Sequence, residues 1–400
     1  MRCTSLLVAV ALAGGLLACG GTAAPARAPA ATPTHLASSL AGSCRDVVRS
    51  ELADVARRVY AQAVKGRGVV TAVKRLRRTT ALTAALAAGD PAAVRAAFAP
   101  IRHQIVRIEL FDRTRRLYSY GHSPSFAPVR GALRDASGRV VGRFVLAVTD
   151  RLAYAGLVRR LTGASVSFAA GARTIAAASP GAGTVSLATH AYPSGPLRIA
   201  VRFPQPSPAL CGSDPADTRL LTIADVGRRL LRAESHGGAV TRTLRHVARD
   251  PAFRRATAAN DPAAIRTAIV DDFFRDHALH VVRVRVMRGS HLVYDLGGPY
   301  ALQPATGTVR SPDGSTAATF SLAVQDDTGY IKLMHRFTGV AVQLVSPLGK
   351  VPGSTLAPGP ATIPDHGTVT YLGRRYRAVS FDGTAFPSGT LRISLLASAG

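Results

Sequence analysis

Apolar positions change period along the chain in a fixed order, and that order occurs twice. Helical spacing runs from residue 44 to about 63 and again over 69–78, which predicts two amphipathic helices. Asp90-Pro91 and Asp261-Pro262 each read as an N-cap followed by proline in a first helical turn, opening a third helix. "IVRIELF" (105–111) and "VVRVRVM" (281–287) alternate at period two, as half-buried strands do. "RLYSYG" and "HLVYDLG" supply the second strand of a hairpin. "DASGRVVGRFVLAVT" and "SPDGSTAATFSLAVQ" then give a glycine turn and a third strand.

The most regular unit follows. "AVTDRLAYAGLVRRLTG" (147–163) and "AVQDDTGYIKLMHRFTG" (323–339) agree at 8 of 17 positions without a gap. Tyr330, Leu333, Met334 and Phe337 fall at i, i+3, i+4 and i+7, one stripe of an amphipathic helix, and Tyr154, Leu157, Val158 and Leu161 repeat it. Asp150 and Asp326 (or Asp327) stand where an N-cap is needed, and Thr-Gly predicts a left-handed glycine stop before the next strand.

The chain is therefore a tandem repeat. "ADVARR" (53–58) aligns with "ADVGRR" (224–229), and "GDPAAVR" (89–95) with "NDPAAIR" (260–266), both at an offset of 171. From "IVRIEL" onward the offset is 176, so copy two gains five residues between these points. "YPSGPLRI" and "FPSGTLRI" close the copies. Copy two carries extra residues just before its closing motif, including "YLGRRYRAVSFDG".

The amino terminus has another character. Arg2 and the apolar run at 5–17 form a signal peptide over residues 1–19. "LLAC" resembles a bacterial lipobox, which makes Cys19 the expected lipidation site; an ordinary secretory signal is the plainer alternative. Residues 20–43 are rich in Ala, Pro and Thr and read as a linker. Repeat modules are expected at 44–211 and 215–397. No later segment holds 18 uninterrupted apolar residues. The expected location is extracytoplasmic, either secreted or held to the cell membrane by a lipid anchor, with no transmitter domain in the chain. Processing at Cys19 leaves Cys44 and Cys211, which favours a disulfide bracketing the first repeat.

The formal charge of +27 at pH 7 does not point to nucleic acid. All basic residues except Lys65, Lys74, Lys332 and Lys350 are arginines, spread over both repeats, in a chain with no Trp and few aromatics to stack bases. Unspecific attraction to anionic wall polymers or headgroups fits better.

A helical start, a hairpin, an Asp-Gly turn, a strand running into Asp–helix–Thr-Gly and closing strands: this order resembles the Cache family of extracytoplasmic, PAS-like sensor domains. It covers nearly all of residues 44–396, through "FVLAVTDRLAYAGLVRRLTGASVSF" in copy one and "FSLAVQDDTGYIKLMHRFTGVAVQLV" in copy two. The resemblance implies an α+β fold: two tandem single Cache-like modules, each with an antiparallel sheet of about five strands, an N-terminal helical segment and a strand–helix–strand connector. It also implies non-covalent binding of a small ligand such as a carboxylate or amino acid, and a membrane-bound signalling partner. The family's amino-acid-binding signature contains Trp, which this chain lacks.

Arg107 and Arg283 share one repeat position on the hairpin strand, where a guanidinium can hold a carboxylate bidentately. Tyr118 and Tyr294 on the second strand, with Tyr330 and Arg336 on the connector helix, complete the candidate ligand-binding set. For each the plainer reading is core packing, a solvent-facing strand arginine or a snorkelling helix arginine. "GGP" (297–299) is a turn or a place of close backbone approach. "DHALH" (276–280) has no evident third ligand for a metal. Ser194 and Ser388 sit in turn triplets without an acid–base pair, and no P-loop, dinucleotide or GxSxG motif is present. The expectation is a ligand-binding protein, neither an enzyme nor a cofactor carrier. A cell-envelope scaffold lipoprotein binding a protein partner or wall polymer is the alternative.

Overall fold

Two long helices, each opening one repeat, organise the molecule: α1 (Thr34–Lys65) and, further along the chain, a second helix at Pro215–His236. The computed structural model describes residues 34–112, 115–122, 125–170, 183–193, 195–276, 279–311, 313–386 and 389–399, with side chains from residue 43 apart from Ala170. The signal segment and Cys19 lie outside them, and α1 begins within the stretch read as a linker. The chain divides at Leu40, and the unit from Ala41 to Gly400 is the one described below.

In module 1, α2 (Arg67–Arg78), α3 (Thr80–Ala88) and α4 (Pro91–Phe98) pack on an antiparallel sheet. That sheet holds β1 (Arg107–Phe111) and β2 (Arg116–Gly121). Past the two-residue strand β3 (Ser125–Phe126), it gains β4 (Val129–Arg134) and β5 (Val140–Ala147), in the order β2-β1-β5-β4. The connector helix α5 (Arg151–Thr162) leads to β6 (Ser165–Ala170), β7 (Thr184–Tyr192) and β8 (Gly195–Arg202). These form a second sheet, β3-β7-β8-β6.

Module 2 repeats the plan. The long helix α6 (Pro215–His236) is followed by α7 (Gly238–Arg249), α8 (Pro251–Ala259) and α9 (Pro262–Ala268). Its first sheet contains β9 (Arg283–Arg288) and β10 (His291–Gly297), then, past β11 (Ala301–Leu302), β12 (Ala305–Arg310) and β13 (Thr316–Ala323). The order is β10-β9-β13-β12. Next come β14 (Gln325–Asp326), α10 (Asp327–Thr338), β15 (Ala341–Ser346) and β16 (Gly349–Lys350). Strands β17 (His366–Tyr371), β18 (Arg374–Phe386) and β19 (Thr390–Ser398) complete the second sheet. It runs β14-β11-β18-β19-β15-β16, with β17 paired to β18.

The fold is α+β in two tandem modules. Within each module the strands divide between two sheets, which the single-sheet expectation did not include. The strands that cross to the second sheet, β3 and β11, have two residues each and show no alternation to read. The five residues gained by copy two fall where the chain runs through a π-helical turn at Ile269–Phe274. Part of the extra stretch of copy two, the strand β18, has a counterpart in copy one. β7 pairs with β3 through Ser125–Tyr192, as β18 pairs with β11 through Ala301–Phe386.

The first sheets have separate cores, but the second halves of the modules share one. Val48, Leu52 and Val55 of α1, Val158 and Leu161 of α5, Ile223 and Val226 of α6, and Met334 and Phe337 of α10 belong to a single buried cluster. Contacts across it are reciprocal, as an approximate two-fold relation requires. Arg229 of α6 lies against Gly163, the left-handed cap of α5, and Arg58 of α1 lies against Gly339, the cap of α10. Cys44 and Cys211 form a disulfide with Cα atoms 5.6 Å apart, joining α1 to the residues just before α6.

Candidate ligand-binding site

Strand alternation decides where the hairpin arginine points. On β9, Val284 and Val286 enter the core under α8 and α9, so Arg283 and Arg285 take the opposite face. Asp295 on β10 is paired in register with Arg285 and is held by both guanidinium groups. Arg283 donates through Nε and Nη2 to its two oxygens at 2.8 and 2.9 Å, and Arg285 donates to Oδ2 at 2.9 and 2.7 Å. Arg283 Nη1 also donates to the carbonyl of Gly298 at 2.8 Å. Burial pushes the Asp295 carboxyl up, yet the hydrogen bonds and charges of the two arginines outweigh it and hold it below the ordinary carboxylate range. Two positive charges against one negative leave a net excess of one.

This cluster edges a cavity of about 400 Å³ at the junction of the two sheets. Leu302, Phe386, Leu391 and Ala385 form apolar walls, Pro299 and Tyr300 come from the turn after β10, and Leu348, 71% exposed, stands at its rim. The Arg283 guanidinium lies 5.3 Å from the centre of the Phe386 ring, so one end of the cavity is cationic and the rest greasy. The "GGP" triplet contributes Pro299 to the lining. Gly297 answers a different need, since a Cβ there would fall 2.3 Å from the carbonyl of Val282.

The other candidates lie elsewhere. Tyr294 pairs with Val286 and packs into the helix-covered core, on the opposite face from Arg283. Tyr118 does the same in module 1, with its ring 5.5 Å from that of Phe98. Tyr330 is fully buried in the shared core and donates to the Gly227 carbonyl at 3.2 Å. Its repeat partner Tyr154 donates to Ala56 at the same distance, and burial pushes both phenols up. Arg336 is exposed and lines a cleft of about 490 Å³ between the modules. Arg107 is buried and bonded to Glu109 and the Gly121 carbonyl.

The cavity walls escaped the sequence reading because Arg283, Leu302, Leu348 and Phe386 come from four separate stretches of chain. The repeated Pro-Ser-Gly after Tyr192 and Phe386 was the available signal. Ser194 and Ser388 lie outside the described residues, as does His277 of "DHALH". Among the described residues no group of three His, Cys, Asp or Glu is placed to hold a metal, and no helix is long and apolar enough to cross a membrane.

No protein-family model matches the chain, and no curated protein sequence does. Two solved structures are similar to part of this chain. The periplasmic domain of Vibrio cholerae LuxQ is 7% identical, with a TM-score of 0.28 over 40% of this chain and 91% of that one. An extracellular ligand binding receptor from Desulfohalobium retbaense is 12% identical, with a TM-score of 0.21 over 40% of this chain and 39% of its own. Values this low leave the reading of the site to its geometry.

Proposed function

We propose that this protein is an extracytoplasmic, Cache-like sensor protein whose second module binds a small molecule non-covalently. The ligand has an apolar body and an anionic end. The observation that carries this is the 400 Å³ cavity, apolar along most of its wall and edged by Arg283, which shares Asp295 with Arg285 in a cluster of one excess positive charge. Because Asp295 already occupies both arginines, their charge attracts an anion without a fully free fork to grip it. Selectivity then comes chiefly from the greasy wall. Tethering through Cys19 and relay through a membrane-bound partner complete the reading.

The test is thermal unfolding of the mature chain against a panel of small carboxylates, amino acids and other metabolites. Ligand at 100 times its Kd adds about 2.7 kcal/mol, a shift of several degrees for modules of this size. The shift is expected to vanish in Ala385→Leu, which fills the cavity, and to weaken in Arg283→Gln. A panel without any shift favours the envelope-scaffold reading.

A further inference from the structure

The repeat that places Arg283 beside one cavity places Arg107 beside another, and the two have diverged. Module 1 holds a cavity of about 210 Å³ lined by Arg107, Ser125, His122, Asp150, Arg151 and Phe126. At the positions shared by repeat, Ser125 and Phe126 stand where module 2 has Ala301 and Leu302. Module 2 satisfies the Nε of its arginine with Asp295; in module 1 the corresponding residue is Ser119, and no such bond forms.

As a result, two buried polar atoms of residues that line the module 1 cavity have no hydrogen-bond partner among the described residues: Arg107 Nε and Ser125 Oγ. Both residues are more than nine-tenths buried, at 7% and 1% exposure. Leaving buried donors unmet is costly, and native proteins rarely do it without a ligand or water to meet them. The cavity also opens on the first turn of α5, a helix of 12 residues, where the positive end of the helix dipole and unpaired N–H groups favour an anion. The Asp150 carboxylate lines the same space but accepts from Ala153 N at 2.6 Å, and Glu109 is held by Arg107 and Arg116. Arg151 and His122 stand at the rim.

We propose that module 1 binds a small oxyanion in this cavity, held by Arg107 Nε, Ser125 Oγ and the first turn of α5. A volume of about 210 Å³ has room for a short carboxylate or an inorganic oxyanion. The duplicated position thus borders two different cavities, one in module 2 edged by a single ion-paired arginine and a smaller one in module 1 with Arg107, Ser125, His122, Asp150 and Arg151 in its lining.

The experiment is isothermal titration of the full mature chain with sodium acetate and with inorganic phosphate, at constant ionic strength and with chloride as control. Saturable binding of one of the two is expected, and whichever binds identifies the class. Ser125→Ala should abolish it. Arg151→Ala, an exposed rim change that leaves the core intact, should weaken it about fivefold or more. Arg283→Gln should leave it unchanged, which separates this site from the module 2 cavity. Absence of saturable binding in the parent chain would mean that the anion does not enter the cavity, and an identical response in Ser125→Ala would place the bound anion elsewhere; either would overturn the proposal.

Discussion

Gly131 and Gly307 sit directly opposite Phe144 and Phe320 in the pairing of β4 with β5 and of β12 with β13. In both modules the ring lies over the glycine, so a Cβ at either position would fall 2.4 Å from the ring's far end. Phe144 and Phe320 are also among the largest fully buried side chains of their cores, which leaves the rings little room to retreat. Gly307→Ala should destabilise the protein by about 1–3 kcal/mol through overpacking, read as a lower urea midpoint at unchanged slope. Glu234 offers a second residue-scale test. It is 8% exposed at the module interface, where burial pushes its carboxyl up and Arg160, 3.9 Å away, opposes the shift only in part. A raised native value means that protonation favours the fold, so the contribution is present below 4.5 and is lost as pH rises through the shifted value. Glu234→Gln should therefore gain in melting temperature over the parent chain near pH 7, and the difference should close as the pH falls below 4.5. A difference independent of pH would rule out this titration.

At the scale of elements, caps do much of the placing. Asp90 and Asp261 accept two backbone N–H groups each, at the starts of α4 and α9. Asp261→Ala should cost about 1 kcal/mol, and Asp90→Ala a similar amount, in denaturant unfolding. These starts were legible in the sequence because the Asp-Pro pair carries its own local chemistry. So were the connector helices α5 and α10, whose apolar stripe, N-cap aspartate and glycine stop all agree, and the hairpin strands β2 and β10. Helices α3 and α8 were missed: "TALTAALAA" is apolar nearly all round and shows no period, while Asp250-Pro251 was a usable signal passed over. The faces of the hairpin were legible as alternation, but not which face was covered by helices. That omission put Tyr294 and Arg283 in one imagined pocket. Alternation says which residues share a side and is silent about what lies above it.

For the whole molecule, the disulfide and the shared core do different work. Cys44–Cys211 spans 167 residues and ties the entry of module 1 to its exit. In the chain-entropy picture a closure of that length stabilises by about 5 kcal/mol, so the Cys44→Ser/Cys211→Ser pair should lower the thermal midpoint markedly. The shared core makes the modules unfold together: one calorimetric transition is expected with the disulfide intact, and two separated transitions would contradict the single buried cluster. Relations between the modules were beyond the sequence, because repeat alignment compares the copies without showing which surfaces they present to each other.

The reciprocal contacts of Arg58 with Gly339 and of Arg229 with Gly163 have an evolutionary consequence. In a homodimer built on such an axis every substitution is made twice, and a change that helps one side must be tolerated by the other. Here the partners are fused in one polypeptide, so their stoichiometry is fixed and dilution cannot part them. Each half is free to mutate alone. Ala301 at the repeat position of Ser125, and Asp295 at that of Ser119, are what that freedom leaves behind: twins that have stopped dressing alike.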